Sequence, residues 1–397
     1  MPQDRADATP GDSPAVWLLA VGQTVAYACL YYVFSALLVA IEADTGWTKA
    51  ALALGPTLAL GMAALAAPMA GRLVDRGWGG ELLIGTPLLG AAGLAVIAAA
   101  GGPGGWLGGW AVVGLAQGLG LYDACFAFLI RRLGPQARAA IVRITLVAGF
   151  ASTITFPAGA WAGEALGWRG AVLAFAAVLA LGGTAVNLVA VVRLRRGRRA
   201  GARAYPDAPG VLRRAMRQRD FWLLGGVFLA IYLAHAMLIT FVIPLFQDRG
   251  AGHALAVLAA SLIGPAQVAG RLVYMGAGVR IGLRRTALSV AGTMALAAGL
   301  LWLAGFSVWL IFAFATLQGA AMGITSILRP VMIAEALGQE GFGQISGVLA
   351  VAPLAGSALA PVLGALVLDA GGAGGLIGLV FVLALGAAAL MAVLRLR

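Results

Sequence analysis

Three ionisable residues lie deep within apolar stretches, and each has a chemistry to offer. Asp123 stands eight positions before Arg131, about 12 Å along a helix rising ~1.5 Å per residue. In lipid, an acid at that depth is costly unless paired or hydrated, and such residues mark ion and solute pathways. Asp123 therefore reads as a proton carrier or as the fixed partner of an arginine on another helix. Arg329 sits eight positions before Leu337, much as Asp123 sits ten before Leu133. Pro330 comes next and frees a backbone carbonyl nearby. A guanidinium offers oxyanions a planar, permanently charged fork. Arg329 is thus either an anion-binding group or a charge partner for Asp123 or Glu335. His235 falls in the middle of another apolar stretch, where an imidazole serves as a hydrogen-bonded structural group or as a second proton carrier.

Polar neutral residues extend this set. Gln23, Tyr27 and Tyr31 recur every four residues, so on an ideal helix they share one face. Gln117 and Gln267 add further donors and acceptors to a candidate solute cavity. Cys29 and Cys125 could meet a soft metalloid, although a cysteine in an apolar run ordinarily packs as a small hydrophobe. Two such cysteines do not make a disulfide framework.

The elements that hold these residues must be membrane helices. Hydrophobic residues make up 61% of the 397 positions and charged residues 11%, against roughly 25% charged in soluble domains. A chain this size cannot bury that much apolar side chain in water. A helix needs about 20 apolar residues to span the hydrocarbon core. Such runs fall near 15–40, 49–73, 81–101, 106–130, 141–165, 171–192, 221–246, 253–275, 286–305, 307–334, 343–368 and 374–394. The expected fold is all-α: twelve transmembrane helices in two pseudo-symmetric six-helix bundles. A polar tail (1–14) precedes the first bundle (15–193), and a basic linker (194–219) leads to the second (220–397).

The net charge of +12 does not point to nucleic acid, because ten arginines cluster between Arg193 and Arg219. Basic residues mark the cytosolic side of membrane proteins. With both termini inside, twenty-three fall in cytosolic segments and three, Lys49, Arg169 and Arg249, on the other face. The expected location is a bacterial-type inner membrane, crossed many times by a monomer.

The two halves repeat one another. Ala70-Gly-Arg-Leu-Val-Asp-Arg-Gly-Trp-Gly79 matches Ala269-Gly-Arg-Leu-Val-Tyr-Met-Gly-Ala-Gly278 at seven of ten positions, half a chain apart. Gln117-Gly118 pairs likewise with Gln318-Gly319, and Pro157 with Pro361.

On these residues the chain resembles the major facilitator superfamily, whose loop after the second helix has the pattern Gly-x-Leu-x-Asp-Arg-x-Gly. Gly71, Leu73, Asp75, Arg76 and Gly77 supply most of it, with the glycine one place early and no basic pair after it. The second half keeps Gly270 and Arg271 but has Tyr274 where the acid would stand. The resemblance implies alternating access between two bundles, with Asp75 as a gating latch that caps a neighbouring helix. Gly120-Leu-Tyr-Asp123 and Gly264-Pro-Ala-Gln-Val-Ala-Gly-Arg271 look like bacterial monocarboxylate or oxalate/formate carriers, and some similar relatives are arsenical efflux permeases.

No His-Glu-x-x-His zinc motif, paired buried acid or Walker loop accompanies these residues, so the sequence does not read as an enzyme. No metal or cofactor is expected. The expected function is secondary active transport of a small solute, coupled to protons. The resemblance also tilts the direction toward efflux, since proton antiporters of the superfamily often carry a glycine-and-proline motif in the fifth span, where Phe156-Pro157-Ala-Gly159 stands here. An organic-anion importer, a metalloid exporter and a non-transporting membrane sensor are the alternatives.

Overall fold

The computed structural model describes residues 14–196, 210–278 and 281–395, and among them every regular element is helical. Nine runs are long and apolar enough to cross a membrane among the described residues. Three of these, Ala51–Ala99, Ala137–Arg196 and Phe342–Val393, greatly exceed one bilayer. Each is divided by a glycine with positive φ: Gly77 (97°), Gly167 (67°) and Gly372 (59°). A left-handed φ is costly for residues with a Cβ, so glycine stands at each division. Divided there, the runs give the expected number of spans. The tail and residues 197–209 of the linker lie outside the described residues.

Local chemistry fixes the helix ends. Thr48 Oγ1 accepts the Ala51 N–H at 3.2 Å and caps α3 (Lys49–Leu73). Pro103 opens α5 (Pro103–Gly120), where its missing N–H costs nothing. Around these lie α1 (Pro14–Tyr27), α2 (Val33–Thr45), α4 (Gly79–Ala99) and α6 (Tyr122–Leu133). Next come α7 (Ala137–Ala148), α8 (Ala151–Ala177) and α9 (Thr184–Arg196). The chain continues through α10 (Val211–Met216), α11 (Arg219–Asp248), α12 (His253–Ser261) and α13 (Ile263–Val273). It ends with α14 (Leu283–Leu303), α15 (Leu310–Leu337), α16 (Phe342–Leu349) and α17 (Val351–Val393).

The chain divides into two compact units. One holds the residues up to Val211 together with Gln339–Val348; the other holds Leu212–Gly338 and Leu349 onward. In the first unit α5 packs on both α3 and α4. Small residues make this possible, since a Cβ on Gly114 or Gly118 would fall on the backbone of Ala59 or Ala63. At one end of the unit Trp106, Trp110 and Trp168 are buried, with rings 5.9–6.4 Å from Trp106. Asp44 ties that end together, accepting the Trp168 indole N–H at 2.7 Å and pairing with Arg169.

The second unit repeats the glycine seam. Gly319 and Gly323 of α15 lie against Ile263 and Gln267 of α13, and Gly270 of α13 against Ala320. There α11 packs along α17, and Phe246 and Phe314 meet edge to face at 5.7 Å.

Candidate functional site

The loop motif builds the first polar feature. The last turn of α3 runs into a π-helical turn, Val74–Trp78, that holds Asp75 buried while Arg72 and Arg76 stay exposed. Its Oδ1 accepts the Gly343 N–H at 2.9 Å, and its Oδ2 accepts the Gln344 N–H at 2.7 Å. These donors belong to the first turn of α16, where N–H groups lack intrahelical acceptors and the helix dipole favours an anion. Gly71 lets the two backbones meet, because a Cβ there would overlap the Gly343 carbonyl oxygen. In the second unit Gly270 instead faces α15, Tyr274 is buried, and Arg271 is only 6% exposed.

The second feature surrounds Asp123. The span that carries it is broken: α5 stops at Gly120, Leu121 is extended (φ −77°, ψ −162°), and α6 starts at Tyr122. Asp123 thus occupies the first turn of a helix that begins mid-span, where the positive end of the dipole stabilises a carboxylate. The break also strands the Gly120 carbonyl, which accepts the Gln23 Nε2–H at 2.9 Å. A π-helical turn at Ala28–Tyr32 strands Leu30 in the same way, and its carbonyl accepts the Gln117 Nε2–H at 2.7 Å. Neither irregularity is visible in an apolar run. Gln23 and Gln117, expected to face a solute, are 1% and 8% exposed and bond backbone.

The same π turn undoes the four-residue stripe. Widening the helix at Ala28 rotates its later residues about the axis, so Gln23 is buried and Tyr31 is 49% exposed. The tyrosines gather with others into an aromatic wall. Tyr27 lies 4.4 Å from Tyr122 and 6.0 Å from Tyr31, and Tyr122 stacks on Phe126 at 4.9 Å.

The second unit brings together His235, Gln318, Tyr232 and Arg329. His235 Nδ1 and Gln318 Nε2 are 3.4 Å apart, joining α11 to α15. The Arg329 guanidinium lies 5.9 Å from the Tyr232 ring centre, within cation–π reach. Gln267 is half-buried on α13, and Glu335 is exposed. Cys29 and Cys125 are both buried, free thiols. Among the described residues no group of His, Cys, Asp or Glu could hold a metal ion.

Asn187 went unnoticed in the sequence. Pro87 has no N–H to give Leu83, and the stranded Leu83 carbonyl accepts the Asn187 Nδ2–H at 2.6 Å. The signal was there, a lone amide in one apolar run and a proline inside another.

Residues 19–307 match the family model of the Major Facilitator Superfamily. The chain belongs to this superfamily. Among solved structures, FucP in its outward conformation, elsewhere described as the E. coli fucose:proton symporter, superposes with a TM-score of 0.73 at 14% identity. The match covers 96% of this chain and 99% of that one. The proton:xylose symporter XylE gives 0.70 at 13% identity over 95% and 94% of the two chains. The human organic anion transporter MFSD10 gives 0.69 at 18% identity over 96% and 100%. No curated protein sequence matches. Membership and fold make this chain a multi-pass secondary transporter rather than an enzyme.

Proposed function

We propose that this transporter moves a small organic solute by alternating access and couples that movement to protons through Asp123. One observation carries the coupling: the acid sits where the span is interrupted, so a proton gained or lost there changes the charge at a helix start. His235, bonded to Gln318 across α11 and α15, is the second proton candidate. Asp75, holding the first turn of α16, serves as the latch of one access state.

Arg329 beside Tyr232 supports solutes bearing a carboxylate, since a guanidinium offers an oxyanion two parallel N–H donors in one plane. Export is the favoured direction, on the Phe156-Pro157-Ala-Gly159 segment of α8. The arginine-rich ends face the cytosol of a bacterial-type inner membrane, with both termini on that side and the protein acting as a monomer. Metalloid export is less well supported, as both thiols are sealed in the first unit.

The test is flux in proteoliposomes under an imposed pH gradient, with a panel of organic acids, arsenite and cationic drugs. The reading predicts gradient-driven movement of one or more acids and its loss in Arg329→Gln. Movement confined to arsenite or cations would overturn the substrate class, and flux indifferent to the gradient would overturn proton coupling.

A further inference from the structure

The first unit carries an aromatic feature that neither proton coupling nor the Asp75 latch uses. Six rings follow one another across it: Phe126 and Tyr122 of α6, Tyr27 of α1, Tyr31 and Tyr32 of the π turn, and Phe156 of α8. Successive ring centres lie 4.9, 4.4, 6.0, 5.1 and 6.4 Å apart. Tyr31 falls near the middle of the apolar run Pro14–Thr45, at least ~20 Å from either end at ~1.5 Å per residue. It is nonetheless 49% exposed, and among the described residues its hydroxyl has no hydrogen-bond partner. Tyrosines that face lipid gather at the membrane interfaces, where the hydroxyl stays wet. At mid-depth in hydrocarbon an unbonded hydroxyl is costly. The open side of Tyr31 therefore meets water and solute rather than lipid tails.

The chemistry offered there is that of a ring. Gln23 and Gln117, whose amide nitrogens could have held a polyol, donate to the Gly120 and Leu30 carbonyls instead. Tyr31 is held from both sides, tilted 59° to Tyr27 and edge-on to Tyr32 at 77°. A fixed ring with one open side favours a flat π system, offset or edge to face, over a puckered one. We propose that the first unit selects, among organic acids, those bearing a flat aromatic ring, with Tyr31 as the side chain that receives it. This rests on the organic-acid reading above and adds the ring to it.

The experiment is calorimetric titration of the purified full-length protein with benzoate, cyclohexanecarboxylate and xylose. The saturated ring is at least as apolar as the aromatic one, so a preference for benzoate reports ring recognition. Wild type should bind benzoate roughly three- to tenfold more tightly than cyclohexanecarboxylate. Tyr31→Leu should lose that preference while still binding both acids, and Tyr31→Phe should keep it. Should Tyr31→Leu fail to fold, Phe156→Leu, at the half-exposed end of the wall, carries the test with a reduced preference. Equal affinity for the two acids, no binding of benzoate, or a preference unchanged in Tyr31→Leu would overturn the ring inference and leave the wall as packing. Binding of xylose with neither acid bound would overturn the organic-acid reading itself.

Discussion

The segments Ala70–Gly79 and Ala269–Gly278 share seven of ten residues, yet the structure uses them differently. In the first, Gly71 and Asp75 hold the start of α16, one by letting the backbone approach and the other by accepting two N–H groups. In the second, Gly270 seats α13 on α15, and Tyr274 fills space that no charge could occupy cheaply. Both segments keep the close-packing glycine, and only the first has a carboxylate at the position of Tyr274. The difference teaches that the shared glycines serve close helix packing, while the divergent position decides which segment holds a helix start through a carboxylate.

The largest expected effects come from what the copies share. Gly71→Val and Gly270→Val would each drive a side chain into backbone that cannot retreat, and both should cost ~4 kcal/mol or more. Thermal melting in detergent would register this as severe loss of folded protein. Tolerance at only one glycine would break the symmetry of the packing role.

Asp75→Asn sharpens the contrast. The amide keeps one acceptor and loses the charge, so the contact to α16 should weaken by ~1–3 kcal/mol. Hydrogen exchange at Gly343 and Gln344 would report it directly, and Tyr274→Phe should leave those amides unchanged.

Gly77 and its counterpart Gly276 give a smaller effect. Gly77 has φ of 97° whereas Gly276 is not in the left-handed region. Alanine should cost ~1–2 kcal/mol at Gly77 and far less at Gly276. Paired melting curves would check this.

Smallest of all is Glu81→Gln, which breaks a 2.7 Å pair with Arg195 whose side chains are both 44% exposed. An exposed pair contributes about 0–1 kcal/mol. The shift should vanish at high salt, and a larger one would mean the pair anchors α9 to α4.

Much of the fold was legible because membrane burial writes itself into composition. The seventh span, expected at 221–246, is helical over Arg219–Asp248, and the ninth, expected at 286–305, over Leu283–Leu303. The candidate site was less legible. Asp75 could be read from its motif, and Asp123 and Arg329 were singled out by their distance to span ends. The break after Gly120 and the π turn at Ala28 could not, as each is set by what its helix packs against rather than by local propensity. Gln23 and Gln117 have backbone partners for that reason: polarity in lipid announces a need for partners, and stranded carbonyls supplied them. Gln318, the counterpart of Gln117, turned instead to a side chain, His235.

The central claim, coupling through the acid at the break, is tested most directly with Asp123→Asn in proteoliposomes. Solute exchange at equal concentration and gradient-driven accumulation would be measured side by side. The account predicts that exchange survives, because the access change needs no net proton movement, while accumulation driven by the pH gradient disappears. Accumulation that still tracks the gradient in the variant would contradict it.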